Sequence, residues 1–595
     1  MCRIGIIFGN QEKEPIENIF ETHHKNGSTI DAEIYKTNNA SVVFSRFPIT
    51  TDHIQHGNFP LQGKRYIFVQ NGETYSYKNK VPNNSDSEFA LEIIEKEGIK
   101  AFLKDADIQG TIFIYDKKKD IYYIIVDQLN TAGFFYSIHN NELIGASEYA
   151  VLHKALKKIN KGHLPINILK NGHYIEFKNN FFKIKHYRPF HSKVWKGNKN
   201  GNEKEHLENL KKAIKDSINY RIPKKGPVAV LCSGGVDSSL ILLEVYKELN
   251  KKNELHRLNI YTLGDKNLDE EESDLHHVLF LLKELNIVDK LKIINPKEIK
   301  EWKQHLRENY VFNKEARLIT PNPNLNSQVR HTVMMSSVLA YIVKNNPKTK
   351  VVLTGDSADE IFAGYDSMRI AQSKNHFRKN VQFKLNDLPL NDLSRVTLAS
   401  YFGCKAILEH INKKEKIEKI QPIEVRHPLT SHLVLEKLTD KCVHSLINKY
   451  NNNIYSKYLL RKIALELGLP EKIAFRKKIP FNQGGTGQKN SENYDLEIEA
   501  AKKYISEEEL INFSNENINH LIRLNIIFNN EIDSNKIKSH IFDLNDDSNK
   551  FSQLALFHAA YNNGLKNMLE GNVFRENMPD TNYSTDLFNK LYEPK

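Results

Sequence analysis

Val228-Ala229-Val230-Leu231-Cys232-Ser233-Gly234-Gly235-Val236-Asp237-Ser238-Ser239 is the stretch on which the reading of this chain turns. Residues 228–232 form an apolar run of strand length, and Ile241, Leu242, Val245, Tyr246 and Leu249 then recur at helical spacing. Strand, loop and helix are predicted in that order. The Gly-Gly pair and the loop hydroxyls leave backbone N–H groups open to an anion, and the helix turns its positive end toward the same place. Asp237 adds a carboxylate where a phosphate-bound Mg²⁺ would need one. The Lys of a G-x-x-x-x-G-K-[ST] loop is missing, so the segment suits the pyrophosphate of a nucleotide rather than a transferred γ-phosphoryl group. A Ser/Gly-rich helix cap is the plainer alternative; Gly-Gly, the Asp and the paired Ser following a clean strand weigh against it.

At 595 residues the chain has room for two or more domains with their own cores. No apolar run approaches 18 residues, so no membrane partner is expected. The apolar start Met-Cys-Arg-Ile-Gly-Ile-Ile-Phe-Gly is too short for a secretory signal. Cys2, Cys232, Cys404 and Cys442 are scattered, with neither a disulfide framework nor metal-ligand spacing, which fits a reducing, cytoplasmic setting. The formal charge of +12 comes from lysines interleaved with Asp and Glu. With no basic stripe or zinc knuckle, solvated surface lysine is the better account and no nucleic-acid partner is expected.

Short strand-like runs such as 41–44, 65–69, 111–115 and 121–126 predict an antiparallel, sheet-rich domain over residues 1–192. Residues 193–205 are polar, rich in Gly and Asn, and read as a linker. From 206 the period changes. Strands at 228–232, 258–263, 290–294 and 350–354 alternate with amphipathic helices, including 270–285 and 328–344, so a doubly wound parallel sheet is expected. Residues 395–470 are helical in pattern, and 491–595 read as a helical extension with no chemistry that can be named.

The loop after residue 232 resembles the PP-loop of ATP pyrophosphatases. Cys2 directly follows the initiator Met; Arg46 lies in Ser45-Arg46-Phe47-Pro48-Ile49; Asn71-Gly72-Glu73 closes the strand of 65–70; Ser85-Asp86-Ser87-Glu88 opens a helix. Each is ordinary alone: a buried Cys, a turn, a helix cap. Taken with the PP-loop they resemble the glutamine-hydrolysing asparagine synthetases and their amidotransferase relatives. The resemblance implies an α+β sandwich of the N-terminal-nucleophile type, two antiparallel sheets between helices. An α/β PP-loop domain with a helical C-terminal part, covering 206–490, would follow it. After removal of Met1, the α-amine of Cys2, with a reference pKa of about 7.7–8.0, can act as base for its own thiol. By resemblance, Asn71 and Gly72 supply oxyanion donors, and Arg46, Glu73 and Asp86 bind glutamine, Arg46 at its α-carboxylate and Asp86 at its α-ammonium.

Gly355-Asp356-Ser357-Ala358-Asp359-Glu360-Ile361-Phe362-Ala363-Gly364-Tyr365 looks like the family's Gly-Glu-Gly-Ala-Asp-Glu-Leu-Phe-Gly-Gly-Tyr segment. It implies that Asp237 and Asp359 hold Mg²⁺ on ATP and that Asp356 is the base for amide formation. Leu231, Ser233, Gly234, Gly235, Ser238, Ser239, Leu263 and Gly355 would complete the ATP site. Ile423-Glu424-Val425-Arg426-His427-Pro428-Leu429 and Ser456-Lys457-Tyr458-Leu459-Leu460-Arg461 resemble two further segments, and Lys478, with Lys477 beside it, matches the lysine that stabilises charge during adenylation. Arg3, Gln128, Asp356 and Ser431 depart from the family's usual Gly, Arg, Glu and Asp. The expected reaction joins glutamine hydrolysis to amidation of an adenylated carboxylate, aspartate by preference. The same chemistry on a sugar acid or a natural-product intermediate stays open, as does a degenerate relative acting as an interaction protein. A homodimer is left open.

Overall fold

The computed structural model describes residues 3–9, 13–25, 33–37, 39–45, 49, 59–128, 130–188, 203–264, 273–306, 308–309, 325–356, 358–364, 403–415, 423–439, 446, 448–451 and 453–476. Cys2, Arg46, Ser357, Lys477, Lys478 and the 491–595 extension lie outside them.

The first half runs β1 (Arg3–Phe8), α1 (Lys13–Lys25), β2 (Glu33–Lys36), β3 (Ala40–Ser45), β4 (Leu61–Gln62), β5 (Tyr66–Tyr77), α2 (Asp86–Glu97) and α3 (Ile99–Asp105). It continues with β6 (Ala106–Asp116), β7 (Ile121–Val126), β8 (Phe135–His139), β9 (Glu142–Ala146), α4 (Tyr149–Lys158), β10 (Asn167–Ile168), β11 (His173–Lys178) and β12 (Phe181–His186). Two antiparallel sheets result, ordered β10-β8-β9-β1-β3-β2 and β12-β11-β7-β6-β5-β4. β1 shows why the sequence makes a sandwich. Ile4, Ile6 and Phe8 enter one core with Phe68, Phe113, Tyr122 and Phe177 of the second sheet. Ile7 turns to the other face and packs with Ile16 and Phe20 of α1 and Leu152 and Leu156 of α4. Alternation with period two thus feeds two layers at once. The two sheets between helices are the N-terminal sandwich the resemblance implied.

The second half opens with α5 (Glu203–Arg221), β13 (Val228–Leu231), α6 (Val236–Lys251), β14 (Leu258–Leu263), α7 (Asp274–Glu284), β15 (Leu291–Ile294), α8 (Lys300–Leu306) and α9 (Leu325–Asn345). Then come β16 (Val351–Leu353), α10 (Ala358–Ile361), β17 (Glu424–Arg426), α11 (His432–Thr439), β18 (Asn448–Tyr450), β19 (Asn453–Tyr455), α12 (Tyr458–Glu466) and α13 (Glu471–Ala474). The sheet is parallel throughout, ordered β15-β14-β13-β16-β17. The apolar runs of its central strands β13 and β16 are continuous because both faces are covered. Val228 and Val230 pack with α5, α6 and α7, while Ala229 and Leu231 face α8 and α9. The strand order reverses between β13 and β16. In doubly wound sheets that switch point opens the ligand crevice at the carboxyl edge. The 395–470 region differs from its helical reading: β17, β18 and β19 interrupt it. Among the described residues no helix is long and apolar enough to cross a membrane.

Candidate active site

In the N-terminal half, β5 does not stop before Asn71-Gly72-Glu73, as the sequence suggested; it runs through them to Tyr77. Gly72 lies opposite Gly110 of β6 with φ +134. A Cβ there would collide with the Gln109 carbonyl oxygen and sit 2.7 Å from the Gly110 Cα. Two glycines face to face let the ladder survive a conformation closed to other residues. Asp127 holds the opposite strand, its Oδ2 accepting from the Gly110 N–H (2.6 Å) and the Thr131 N–H (3.0 Å). The stretch containing Gln128 is therefore pinned by its Asp. Asn71 Nδ2 donates to Ser147 Oγ (3.1 Å), and the same oxygen accepts from the Ile4 N–H (3.1 Å), tying Asn71 to β1.

Ser85 caps α2, and Asp86 behind it accepts from the Thr74 N–H (3.0 Å). Glu73 and Asp86 are both buried. Burial raises both carboxyls; the charge of Asp86 pushes Glu73 further, well above the ordinary range, against the pull of Arg426. Arg3, also buried, pairs with Glu148 (2.8 Å), which Lys405 approaches to 3.7 Å.

In the second half, the Ser233–Ser239 loop leaves β13 and enters α6 at the N-cap Gly235. Gly234 takes φ +69. Ser238 Oγ accepts from the Ser233 N–H (3.1 Å), and the Ser239 N–H closes the first turn on the Gly235 carbonyl (3.0 Å). Arg476 donates to the Ser233 carbonyl (2.6 Å) and pairs with Asp274 (2.8 Å), fastening the loop from below. Leu231 and Leu263 end adjacent strands with their side chains buried in the core. Gly355, beyond β16, comes so close that a Cβ would meet the Ser238 nitrogen at 2.8 Å and the Asp237 Cβ at 2.9 Å. Across that contact Asp237 and Asp359 converge on one cation. The Lys457 ammonium binds Asp237 and lies 2.7 Å from Asp359 Oδ1, its side chain 1% exposed. Asp237 Oδ1 is buried without a hydrogen-bond partner. Asp356 donates its N–H to Thr354 Oγ1 (2.9 Å), and its carboxylate acts on the charge of His427. Ser431 accepts from the Val434 N–H (3.2 Å), capping α11.

The halves meet through buried polar groups. Arg221 of α5 forms a two-pronged pair with Asp107 of β6 (2.8 and 3.1 Å) and stacks on Tyr75 at 4.0 Å. Gln109 Nε2 donates to the Val425 carbonyl of β17 (3.0 Å), and Arg426 reaches Glu73 at 3.2 Å. Fully desolvated charges cost several kcal/mol each unless paired this closely.

The sandwich half matches the family model of the glutamine amidotransferase domain over residues 1–204, and the parallel-sheet half matches that of asparagine synthase over 209–512. The chain belongs to the asparagine synthase family. Relatives of this asparagine synthase-type enzyme include a Methanocaldococcus jannaschii protein described as a glutamine-hydrolysing asparagine synthetase, 26% identical over 493 residues (75% of this chain, 81% of the relative). Asparagine synthetase B of Escherichia coli is 23% identical over 482 residues (76% of each chain). The glutamine-hydrolysing asparagine synthetase of Cricetulus griseus is 23% identical over 519 residues (82% and 86%).

The structure thus brings Asn71, Gly72, Glu73 and Asp86 together at one sheet edge, and Asp237, Ser238, Gly355, Asp356 and Asp359 at the other domain's switch point. Sequence reasoning assigns no role to three residues at these places: Ser147, Arg426 and Lys457. In sequence Ser456-Lys457 stands out only as part of a motif, although a Lys with 1% exposure beside an apolar helix face is the kind of residue that needs a buried carboxylate partner.

Proposed function

We propose that this asparagine synthase-type enzyme makes asparagine from aspartate, ATP and glutamine, releasing AMP and diphosphate. The observation that carries the synthetase part is the convergence of Asp237, Asp359 and Lys457 beside the Ser233–Ser239 loop, at the reversal of strand order. Asp237 keeps a buried acceptor without a hydrogen-bond partner, which suits a cation on the triphosphate. Bound there with Asp359, Mg²⁺ would offset the charge of the phosphates. Lys457 neutralises the carboxylate pair. The other N–H groups of the loop, with the Ser233 and Ser238 hydroxyls, cradle the β- and γ-phosphates, and Leu231, Leu263 and Gly355 border the nucleotide; Ser239, wholly buried, faces Cys232 Sγ at 3.9 Å and supports the loop from behind. An aspartate carboxylate oxygen attacks the α-phosphorus, diphosphate leaves, and Lys478 stabilises the charge that develops. Ammonia then attacks the acyl carbon; AMP departs and Asp356 takes the proton.

In the other half the Cys2 thiolate attacks the glutamine amide. Asn71 and Gly72 stabilise the oxyanion, ammonia leaves, and water hydrolyses the thioester to glutamate. Arg46 holds the α-carboxylate of glutamine, and Glu73 and Asp86 its α-ammonium, whose positive charge two crowded carboxyls would welcome. The reading is tested by AMP release with glutamine and a panel of carboxylic acids. Aspartate should give AMP, and Cys2→Ala should lose glutamine-dependent but keep ammonia-dependent release. AMP with another acid alone would move the assignment to that acid; no AMP with any acid would leave a non-catalytic interaction protein.

A further inference from the structure

Arg426 stands where the two halves touch, and two of its three guanidinium nitrogens are hydrogen-bonded. Nε donates to Glu424 (2.7 Å), Nη1 to the Arg221 carbonyl (2.9 Å), and Nη2 faces Glu73 at 3.2 Å at an angle that makes an ion pair but no hydrogen bond. The residue is buried, and its ring-stacking neighbour Tyr75 lies 5.2 Å away. Its backbone continues the connection. The Arg426 carbonyl accepts from the Thr354 N–H (3.1 Å), and Thr354 Oγ1 accepts from the Asp356 N–H (2.9 Å). Three successive contacts therefore run from Glu73 in one half to Asp356 in the other. We propose that Arg426 is a positioning residue that couples glutamine occupancy to the Thr354–Asp356 loop, through a Glu73 carboxylate that the α-ammonium of glutamine shares with the guanidinium. The proposal rests on the reading of Glu73 and Asp86 as glutamine ligands.

The charges set the direction. Glu73, Asp86 and Glu424 act on one another's charge, with Arg426 between Glu424 and Glu73 and with Lys224 also in the field of Glu73 and Asp86. A second cation arriving at Glu73 weakens the hold of Glu73 on Nη2, the one edge of the guanidinium without a formed hydrogen bond. Glu424 and the Arg221 carbonyl then fix the side chain more exclusively, and β17 is relieved of its tie to β5. Because β17 pairs with β16 next to the loop, the loop responds. Coupling of this kind is reciprocal: whatever glutamine does to the synthetase site, ATP and the acid must do to glutamine affinity.

The test is glutamine binding by calorimetry to the full chain carrying Cys2→Ala, with and without ATP, Mg²⁺ and aspartate. The affinity should differ by about 5-fold or more between the two conditions, the lower end of ordinary coupling. Adding Arg426→Lys, which keeps the charge but not the fork, should bring the ratio to about one. Thr354→Val cuts the same chain at its far end without touching Glu73 and should do likewise; it stands in if Arg426→Lys fails to fold. A ratio unchanged in both variants, or equal to one in the Cys2→Ala parent, overturns the proposal. Failure of the underlying reading shows separately, as lack of both glutaminase activity and ATP–pyrophosphate exchange in the unmodified enzyme.

Discussion

Lys457→Met is the perturbation whose size can be worked from the structure. The ammonium lies 2.7 Å from Asp359 Oδ1 and also binds Asp237, with side chains 1%, 14% and 15% exposed. At an effective dielectric constant of about 20, one such contact is worth roughly 6 kcal/mol of Coulomb energy. Much of that is offset by the several kcal/mol needed to desolvate each ion. Met fills the volume but leaves two carboxylates facing each other without a cation, so the net loss should be about 3–5 kcal/mol, the usual cost of removing one partner from a buried pair. Urea unfolding followed by the fluorescence of Trp302, buried in the synthetase core, should show the midpoint falling by about 1–1.7 M for an m value near 3 kcal/mol/M. Millimolar Mg²⁺ should recover part of the loss in the variant and change the parent little, because only in the variant do the carboxylates lack a cation. Asp237→Asn added to Lys457→Met should be less destabilising than the sum of the single changes. A midpoint equal to the parent's, or the same Mg²⁺ response in both, would refute the claim that Lys457 neutralises this pair.

Gly72→Ala drives a methyl into β6 at φ +134 and should lower glutamine-dependent synthesis on the order of 100-fold or more while ammonia-dependent synthesis persists; equal loss with both donors would count against an oxyanion role. Asp356→Ala should keep ATP–pyrophosphate exchange and stall about 100-fold at amide formation, whereas Asp356→Glu should stay active; normal turnover of the Ala variant would remove the base assignment. His427 should make the enzyme acid-labile. Burial pushes its pKa down to about 4 against the pull of Asp356, so between pH 6.5 and 4 the unfolded chain takes up a proton that the folded one refuses. Stability falls by about 3 kcal/mol as pH drops through that window, with His432, pushed to about 3 by burial, adding in the same direction. His427→Gln should flatten the fall in urea midpoint across pH 6.5 to 4, and an unchanged slope would contradict the assignment.

What was legible in the sequence was whatever is contiguous. The 228–239 segment states strand, loop and helix in one run, because a parallel strand covered on both faces must be apolar at every position. β14 and β16 were legible for the same reason, to within a residue or so at their ends, and β15, an edge strand with Lys292 exposed, from its remaining apolar positions. β17 was not: three residues, Glu424-Val425-Arg426, carry no period, and two are charged because they serve the interface rather than a core. Asn71-Gly72 looked like a strand end because Gly is read as a turn. Only the opposing Gly110, supplied by another strand, lets β5 continue. Lys457 and Asp237 are 220 residues apart, and Arg426 meets Glu73 across the two halves, so neither pairing leaves a local trace. The departures at Ser431 and Gln128 became intelligible only in place, the first as a helix cap and the second beside an Asp127 that already secures its stretch.

Nitrogen released from glutamine in the first half should be joined to an adenylated acid in the second. The direct measurement is mass spectrometry of the products formed from amide-¹⁵N glutamine, ATP, Mg²⁺ and aspartate. The ¹⁵N is expected in the side-chain amide of asparagine, with glutamate, AMP and diphosphate formed in equal amounts. Label recovered only as free ammonia, with no AMP from aspartate or any other acid tried, would contradict it.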